Sequence, residues 1–302
     1  LNTRDADGLL ATLSSSPPVR VHHAIWKQRA PRDLGAGWDF DDVRDHYLAK
    51  CYGMDPVQLR YSDHARYLEL GRRVTGEMMR SAFIEWRRRG SACRGALIWF
   101  LRDLWPGAGW GIVDAVGSAK APLHMLRDVL QPRWIGITDE GLNGPSLHVG
   151  NELASALEGH LSLELYRRGR HLLLRSERKL RVEARATLAL PVADLLDEFH
   201  DITHAYRFGP PGCDVVVATL QVSDGGQLQD VFLPDPRRFL DPDESCVLTA
   251  RAKAQADGRY LLAITAPCFA RSVQVDAEHY DCDTQYFPLL PSISRLVMLR
   301  PK

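Results

Sequence analysis

The chain has 302 residues, with 38 Lys and Arg set against 38 Asp and Glu, so its formal net charge is zero. That balance excludes the basic field of a nucleic-acid binder, and the length exceeds what one core usually spans, so two or three domains are expected. The longest apolar run, near Trp99, is stopped by Arg102, far short of the ~20 residues that cross a bilayer.

In chain order, the opening LNTRDADGLL has neither the basic start and apolar block of a signal peptide nor an initiating Met, which suggests a piece of something longer. His22-His23 leads into HAIWKQRAPRDLGAGWDF, a loop in which Trp26 and Trp38 either line the rim of a pocket or, the favoured reading, anchor a surface loop. Phe40, Val43, Tyr47 and Leu48 fall at helical spacing, so Asp41 to Cys51 reads as a short helix. Met54-Asp55-Pro56 breaks it. Asp63 is the expected N-cap of a long helix to about Arg89, with Leu70, Val74, Met78, Ala82 and Trp86 as its packed stripe. On the same helix Glu69, Glu77 and Glu85 read as a solvated face, and Arg87-Arg88-Arg89 as a solvated helix end complementing the dipole.

Cys93 to Leu101 then reads as a strand buried on both faces, as parallel sheets require. It runs into RDLWPGAGWGIVD, dense in tryptophan and glycine, and Lys120 to Leu130 forms another helix ended by Pro132. Helix, doubly buried strand, loop and helix is the rhythm of an α/β barrel, of which this is one turn.

Beyond Pro132 the period becomes two. HLSLELY, HLLLRS, RKLRVEARATLAL, CDVVVATLQV and LQDVFL read as strands of an antiparallel sandwich, with turns at Arg167-Arg168-Gly169 and Ser223-Asp224-Gly225-Gly226. LPDPRRFLDPDE, from Leu233 to Glu244, reads as a stiff linker. CVLTARAKA, RYLLAITA, ARSVQVDA and SRLVML then form a smaller sandwich, near the lower size limit for folding alone.

Six cysteines (Cys51, Cys93, Cys213, Cys246, Cys268 and Cys282) show no CxxC pair, the usage of a reduced, cytoplasmic chain, with pairing left open. His279-Tyr280-Asp281-Cys282-Asp283 contains metal-capable residues in what reads as a turn, without a second ligand cluster at zinc-like spacing, so no metal is expected. There is no phosphate-cradling glycine loop and no GxSxG elbow, and no cofactor is implied.

Gly95-Ala96-Leu97, Trp99, Asp103, Trp105-Pro106, Trp110, Val113-Asp114, Gly117, Lys120 and His124 together resemble the closing barrel strand and following helix of the β-mannosidase-like members of glycoside hydrolase family 2. FIEWRRRG and YFPLLPS resemble further segments of that family. The resemblance implies the C-terminal part of an (α/β)8 TIM barrel over residues 1–131, followed by two immunoglobulin-like β-sandwich domains over 132–234 and 235–302. It also implies a retaining exo-β-glycosidase, most closely a β-mannosidase, with a carbohydrate substrate. Such enzymes use two carboxyls ~5–5.5 Å apart; in the family both stand on barrel strands upstream of the matched stretch, so no residue of this chain is assigned a catalytic role, and the chain alone is expected to be inactive.

The resemblance favours Trp99 as the apolar floor on which a pyranose packs, the alternative being a plain core residue. Asp103 either hydrogen-bonds sugar hydroxyls or, the favoured reading, braces its loop. Trp105 and Trp110 are expected to pack. The family's WQLND is WFLRD here: Arg102 binds an acidic sugar if it faces the pocket and is neutral if it faces outward. A partial barrel exposes strand edges, so the missing upstream half, or self-association, is an expected partner. Two alternatives remain: a carbohydrate-binding or interaction module without catalysis, and a sister activity such as β-glucuronidase or exo-β-glucosaminidase.

Overall fold

The structure is a computed structural model of the chain, and it describes residues 19–28, 30, 35–93, 95–206, 208–209, 211–240 and 245–302. Two compact units are present: residues through Arg80 with Gly95–Leu126, and Ser81–Arg94 with Arg127–Lys302. Among the described residues no helix is long and apolar enough to cross a membrane.

The first unit is helical: α1 (Ala24–Lys27), α2 (Phe40–Tyr52), α3 (Pro56–Ser62), the greater part of α4 (His64–Arg87) and the start of α5 (Ala121–Val129). Local chemistry sets the boundaries. Asp39 and Asp42 form a capping box at the start of α2, and Gly53 ends that helix at φ +65°. Asp55 caps α3, with Pro56 in its first turn. As expected, Asp63 caps α4, accepting the Arg66 N–H at 2.9 Å.

The α2 stripe is not the apolar one read from spacing, because the buried side chains are Asp41, Arg44, Leu48 and Tyr52. The two charges tolerate burial because they pair, Arg44 to Asp41 at 2.9 Å. On α4, Leu70 and Val74 are buried as expected, but in the last turns Phe83 and Ile84 are buried while Trp86 is exposed. Those turns belong to the second unit, where Ile84 packs so closely that a Cβ on Gly136 would lie 2.7 Å from it.

The expected doubly buried strand is corrected. Among the described residues, Cys93 and Gly95 to Leu101 form no strand; Leu97 is 99% exposed and Trp99 73%. A strand needs ladder partners for its N–H and C=O groups, and among the described residues the first unit supplies only isolated bridges, Arg102 to Val113 and Val113 to Ala119.

The second unit carries the sheets. β1 (Arg133–Asp139), β2 (Pro145–Asn151) and β5 (Ala186–Pro191) form one antiparallel sheet, in the order β1-β2-β5. β3 (Leu157–Arg167), β4 (His171–Val182), β6 (Val215–Val222) and β7 (Gln227–Phe232) form the other, in the order β4-β3-β6-β7. Leu161, Leu163 and Leu165 of β3 sit in one core with Leu147, Val149, Val216, Ala218 and Leu220, as period-two alternation requires. Asp230 of β7 links the sheets, accepting the Ile137 N–H at 2.7 Å. β1 and β2 were not legible as strands, and β4 is one continuous strand where two were expected.

The smaller sandwich has a four-stranded sheet of β11 (Tyr280–Cys282), β13 (Arg295–Pro301), β9 (Tyr260–Thr265) and β8 (Thr249–Ala254). A pair of β10 (Ala270–Val273) and β12 (Phe287–Leu289) faces its core. The metal-capable segment at His279 is therefore partly strand rather than turn. The expected linker contains a 3₁₀ turn over Pro236–Phe239 capped by Asp235, and Phe239 meets Phe269 edge to face at 5.0 Å; Asp241 to Glu244 lie outside the described residues. Of the six cysteines, whose pairing the sequence leaves open, Cys246 and Cys268 form a disulfide across 22 residues, against the reading of a reduced chain.

Arg87 and Arg88 are not a solvated helix end. Arg87 donates to the Val129 and Gln131 carbonyls and pairs with Glu152 at 2.6 Å, while its guanidinium stacks 5.0 Å from the Trp134 ring. Arg88 bridges Glu85 and Glu140. Both remain where backbone carbonyls and carboxylates converge on one helix end, a juxtaposition that dipole complementarity alone does not require.

Candidate functional site

The loop from Leu101 to Lys120 is organised from within. Asp103 N–H donates to the Val113 carbonyl at 3.0 Å, Val113 N–H to Leu101 at 2.9 Å, and Lys120 N–H to Ile112 at 2.9 Å. The Asp103 carboxylate, buried, accepts the Gly111 N–H at 2.7 Å and forms an ion pair with the Lys120 ammonium. Lys120 also reaches the Gly109 carbonyl. The glycines are there to let this happen: a Cβ on Gly109 would collide with the Asp103 carboxylate, and one on Gly111 would lie 2.6 Å from the Asp103 nitrogen. Asp114, fully buried, holds the next turn by accepting from Val116 and Ser118.

The four residues singled out from the sequence differ in their surroundings. Asp103 is inside, with its oxygens used by the loop. Trp99 is exposed, edge-on to Phe100 at 5.9 Å across a cis peptide bond. Arg102 is exposed and donates to the Ala115 carbonyl at 2.5 Å. Trp38 is 59% exposed beside the α2 cap. Among the described residues no hydrogen bond or ring contact joins Trp38 to Trp99 or Arg102. The other candidates divide as follows: Trp26 is buried and donates to Asp41 at 3.1 Å, anchoring its loop, whereas Trp105 is exposed.

Near Trp26 lies a network of charged side chains that sequence reasoning missed. The Tyr67 hydroxyl donates to Asp45 at 2.6 Å and lies 2.7 Å from Arg44; His22 and Arg60 each reach Asp45 at 2.9 Å. Burial raises Asp45, but hydrogen bonds from His22 and Tyr67 and the Arg44 charge more than offset it, leaving the carboxyl below its usual range. Burial, with the Asp45 charge beside it, pushes the Tyr67 hydroxyl up to about 12. Burial and the Arg20, Arg44 and Arg60 charges bring His64 down to about 4. His22, Asp39 and Asp42 hold ligand atoms within 4.8 Å of one another, but Lys27 already sits on both acids, at 2.9 and 3.4 Å. The only advance signal was the density of alternating charge between Asp39 and Arg73.

The fold and the clamped aromatic loop together define a class: the chain is similar to the C-terminal part of the β-mannosidase-like glycosidases of glycoside hydrolase family 2. Among curated proteins it is 36% identical over 77 residues to the β-mannosidase B of Emericella nidulans, covering 24% of this chain and 9% of that enzyme. It is 24% identical over 222 residues to the β-mannosidase B of Aspergillus fumigatus, covering 68% of this chain and 25% of that enzyme. The chain thus matches a quarter or less of these relatives' length. Among solved structures, the β-D-mannosidase of Dictyoglomus thermophilum superposes with a TM-score of 0.68 at 17% identity, over 86% of this chain and 30% of that one. The exo-chitosanase CsxA of Amycolatopsis orientalis, in complex with PNP-β-D-glucosamine, gives 0.64 at 16% identity, over 99% and 38%. At those identities the likeness is one of fold. No family model matches the chain.

Proposed function

We propose that this chain is the C-terminal part of a retaining exo-β-glycosidase of the β-mannosidase type. In this reading residues 1–131 complete a TIM barrel, and residues 132–234 and 235–302 form two immunoglobulin-like domains. The catalytic carboxyls stand in the barrel upstream. The chain's contribution to the sugar site is Trp99, whose exposed indole offers a flat apolar face to the C–H side of a pyranose. Arg102 and Trp38 lie at the rim, and Asp103 acts through the loop it braces.

The observation that carries this reading is the family resemblance of the loop from Gly95 to Lys120, whose Asp103–Lys120 clamp is formed in the structure. Trp99 is 73% exposed only four residues before the Asp103–Lys120 clamp, at the position where the family resemblance puts the sugar floor.

The test is a panel of nitrophenyl glycosides, including β-mannoside, β-glucosaminide and β-glucuronide, offered to the natural full-length protein and to the 302-residue chain. The full-length protein is expected to hydrolyse the β-mannoside, and Trp99→Ala to lower kcat/KM by roughly tenfold or more, the scale of a lost stacking contact. Turnover by the 302-residue chain alone, or none of any glycoside by the full-length protein, overturns the reading. Preference for another sugar of the panel replaces the mannoside assignment.

A further inference from the structure

The turn between β3 and β4 is held from two sides. From its own sandwich the buried Asp214 carboxylate accepts the Arg168 N–H at 2.6 Å and the Gly169 N–H at 2.9 Å. From the smaller sandwich the Ser245 hydroxyl oxygen accepts from the Arg170 guanidinium at 2.8 Å, and the Phe269 N–H donates to the Gly169 carbonyl at 2.6 Å. Ser245 and Phe269 are far apart in sequence, yet each is the chain neighbour of one half of the Cys246–Cys268 disulfide.

Phe269 is also the plug of this joint. It is buried with Tyr166, Val215 and Val217 of the larger sandwich and Leu290 of the smaller. A Cβ on Gly169 would lie 2.8 Å from the Phe239 ring and 3.2 Å from Phe269, so the two rings close directly on the turn. Cys246, by contrast, packs against the core of the smaller sandwich, and the disulfide ties that core to the plug. One hydrogen bond traded against water holds little by itself. Two that are cross-linked at their base act together, because losing one leaves the other holding its partner close.

We propose that the disulfide is a redox-sensitive clasp. Oxidised, it holds the smaller sandwich on the β3–β4 turn; reduced, it lets the joint open while both sandwiches stay folded. Reduction is thiol–disulfide exchange. A dithiol attacks one sulfur and its second thiol displaces the mixed disulfide. Cys246 and Cys268 are left as two thiols, having gained two electrons and two protons, and the dithiol leaves as a disulfide. Cys268 is buried and Cys246 half-buried, so the attack falls on Cys246.

The experiment is hydrogen exchange, read by mass spectrometry, on the natural full-length protein with and without dithiothreitol, and on Cys246→Ser without it. Peptides containing Gly169 and Phe269 are expected to exchange about tenfold faster in the reduced protein, while β6 and β13, neither of which lies within the disulfide loop, change far less. Glutathione disulfide should restore the slow exchange. Cys246→Ser is expected to reproduce the reduced pattern, with no further change when dithiothreitol is added, which separates the clasp from effects at other cysteines. Exchange at the joint that reductant leaves unchanged, or that reoxidation does not restore, overturns the clasp. An equal rise at the joint and in β13 overturns it as well, since the disulfide then stabilises the smaller sandwich as a whole and not its seat on the turn.

Discussion

The Lys120 ammonium and the Asp103 carboxylate meet inside the loop between them, their side chains 6% and 2% exposed. A pair this buried fixes geometry more than it adds net stability, because both charges have left water and only their union, with the Gly111 N–H, offsets the loss. Breaking it should therefore cost more than removing it. Asp103→Ala or Lys120→Ala alone should lower unfolding stability by about 3–5 kcal/mol, and the double variant by clearly less than the sum, as chemical denaturation would measure.

The glycines of the same loop should be unequal. Gly109→Ala and Gly111→Ala put a methyl into Asp103 and should each cost about 1–3 kcal/mol, as overpacking does. Gly95→Ala, with nothing within 4 Å of its Cβ, should be nearly silent. Thermal melts of the three variants check this; equal effects would mean that the loop does not close on Asp103.

Arg87 and Arg89 are neighbours in sequence and opposites in role. Arg87→Ala loses charge-assisted bonds to two carbonyls and Glu152 together with its stacking on Trp134, and should cost about 1–3 kcal/mol. Arg89→Ala, at an exposed position, should change stability by less than about 0.5 kcal/mol.

His64 should make stability depend on pH. Its pKa is about 4 in the fold against an ordinary 6.5, so between these values the unfolded chain binds a proton that the folded chain refuses. The contribution is fully present above pH 6.5 and is lost as pH falls toward 4. His64→Gln should flatten the fall in Tm across that window relative to the parent, and parallel curves for the two would remove His64 as its source.

The Cys246–Cys268 disulfide closes a loop of 22 residues, a constraint worth about 3 kcal/mol in the chain-entropy account, and it persists only in oxidising surroundings. Alkylating the denatured protein without reductant should label Cys51, Cys93, Cys213 and Cys282 and spare the other two. Labelling of all six would place the protein in its reduced form, and Cys246→Ser should then leave stability unchanged.

Elements whose cause is local were legible in advance. Asp63 as a cap, the break at Asp55-Pro56, the helix after Lys120 and the alternating leucines of β3 follow from side chains acting on their own backbone or on one repeated face. The family likeness of the tryptophan-rich loop was legible for a related reason: Trp99, Asp103, Trp105-Pro106, Trp110, Asp114 and Lys120 sit in one short stretch, so the pattern is written almost contiguously.

What the sequence alone decided, then, is the order of helical and period-two segments, the helix boundaries and the membership of the aromatic loop in a recognisable pattern. Tertiary structure decided the rest. An apolar run such as Cys93 to Leu101 becomes a buried strand only if other strands offer it hydrogen bonds. A charge such as Arg87 is solvated or paired according to which carboxylates and carbonyls the fold brings near. Both outcomes depend on residues distant in the chain, because ladder bonds and ion pairs act over a few ångströms of space and carry no trace in the spacing of neighbours.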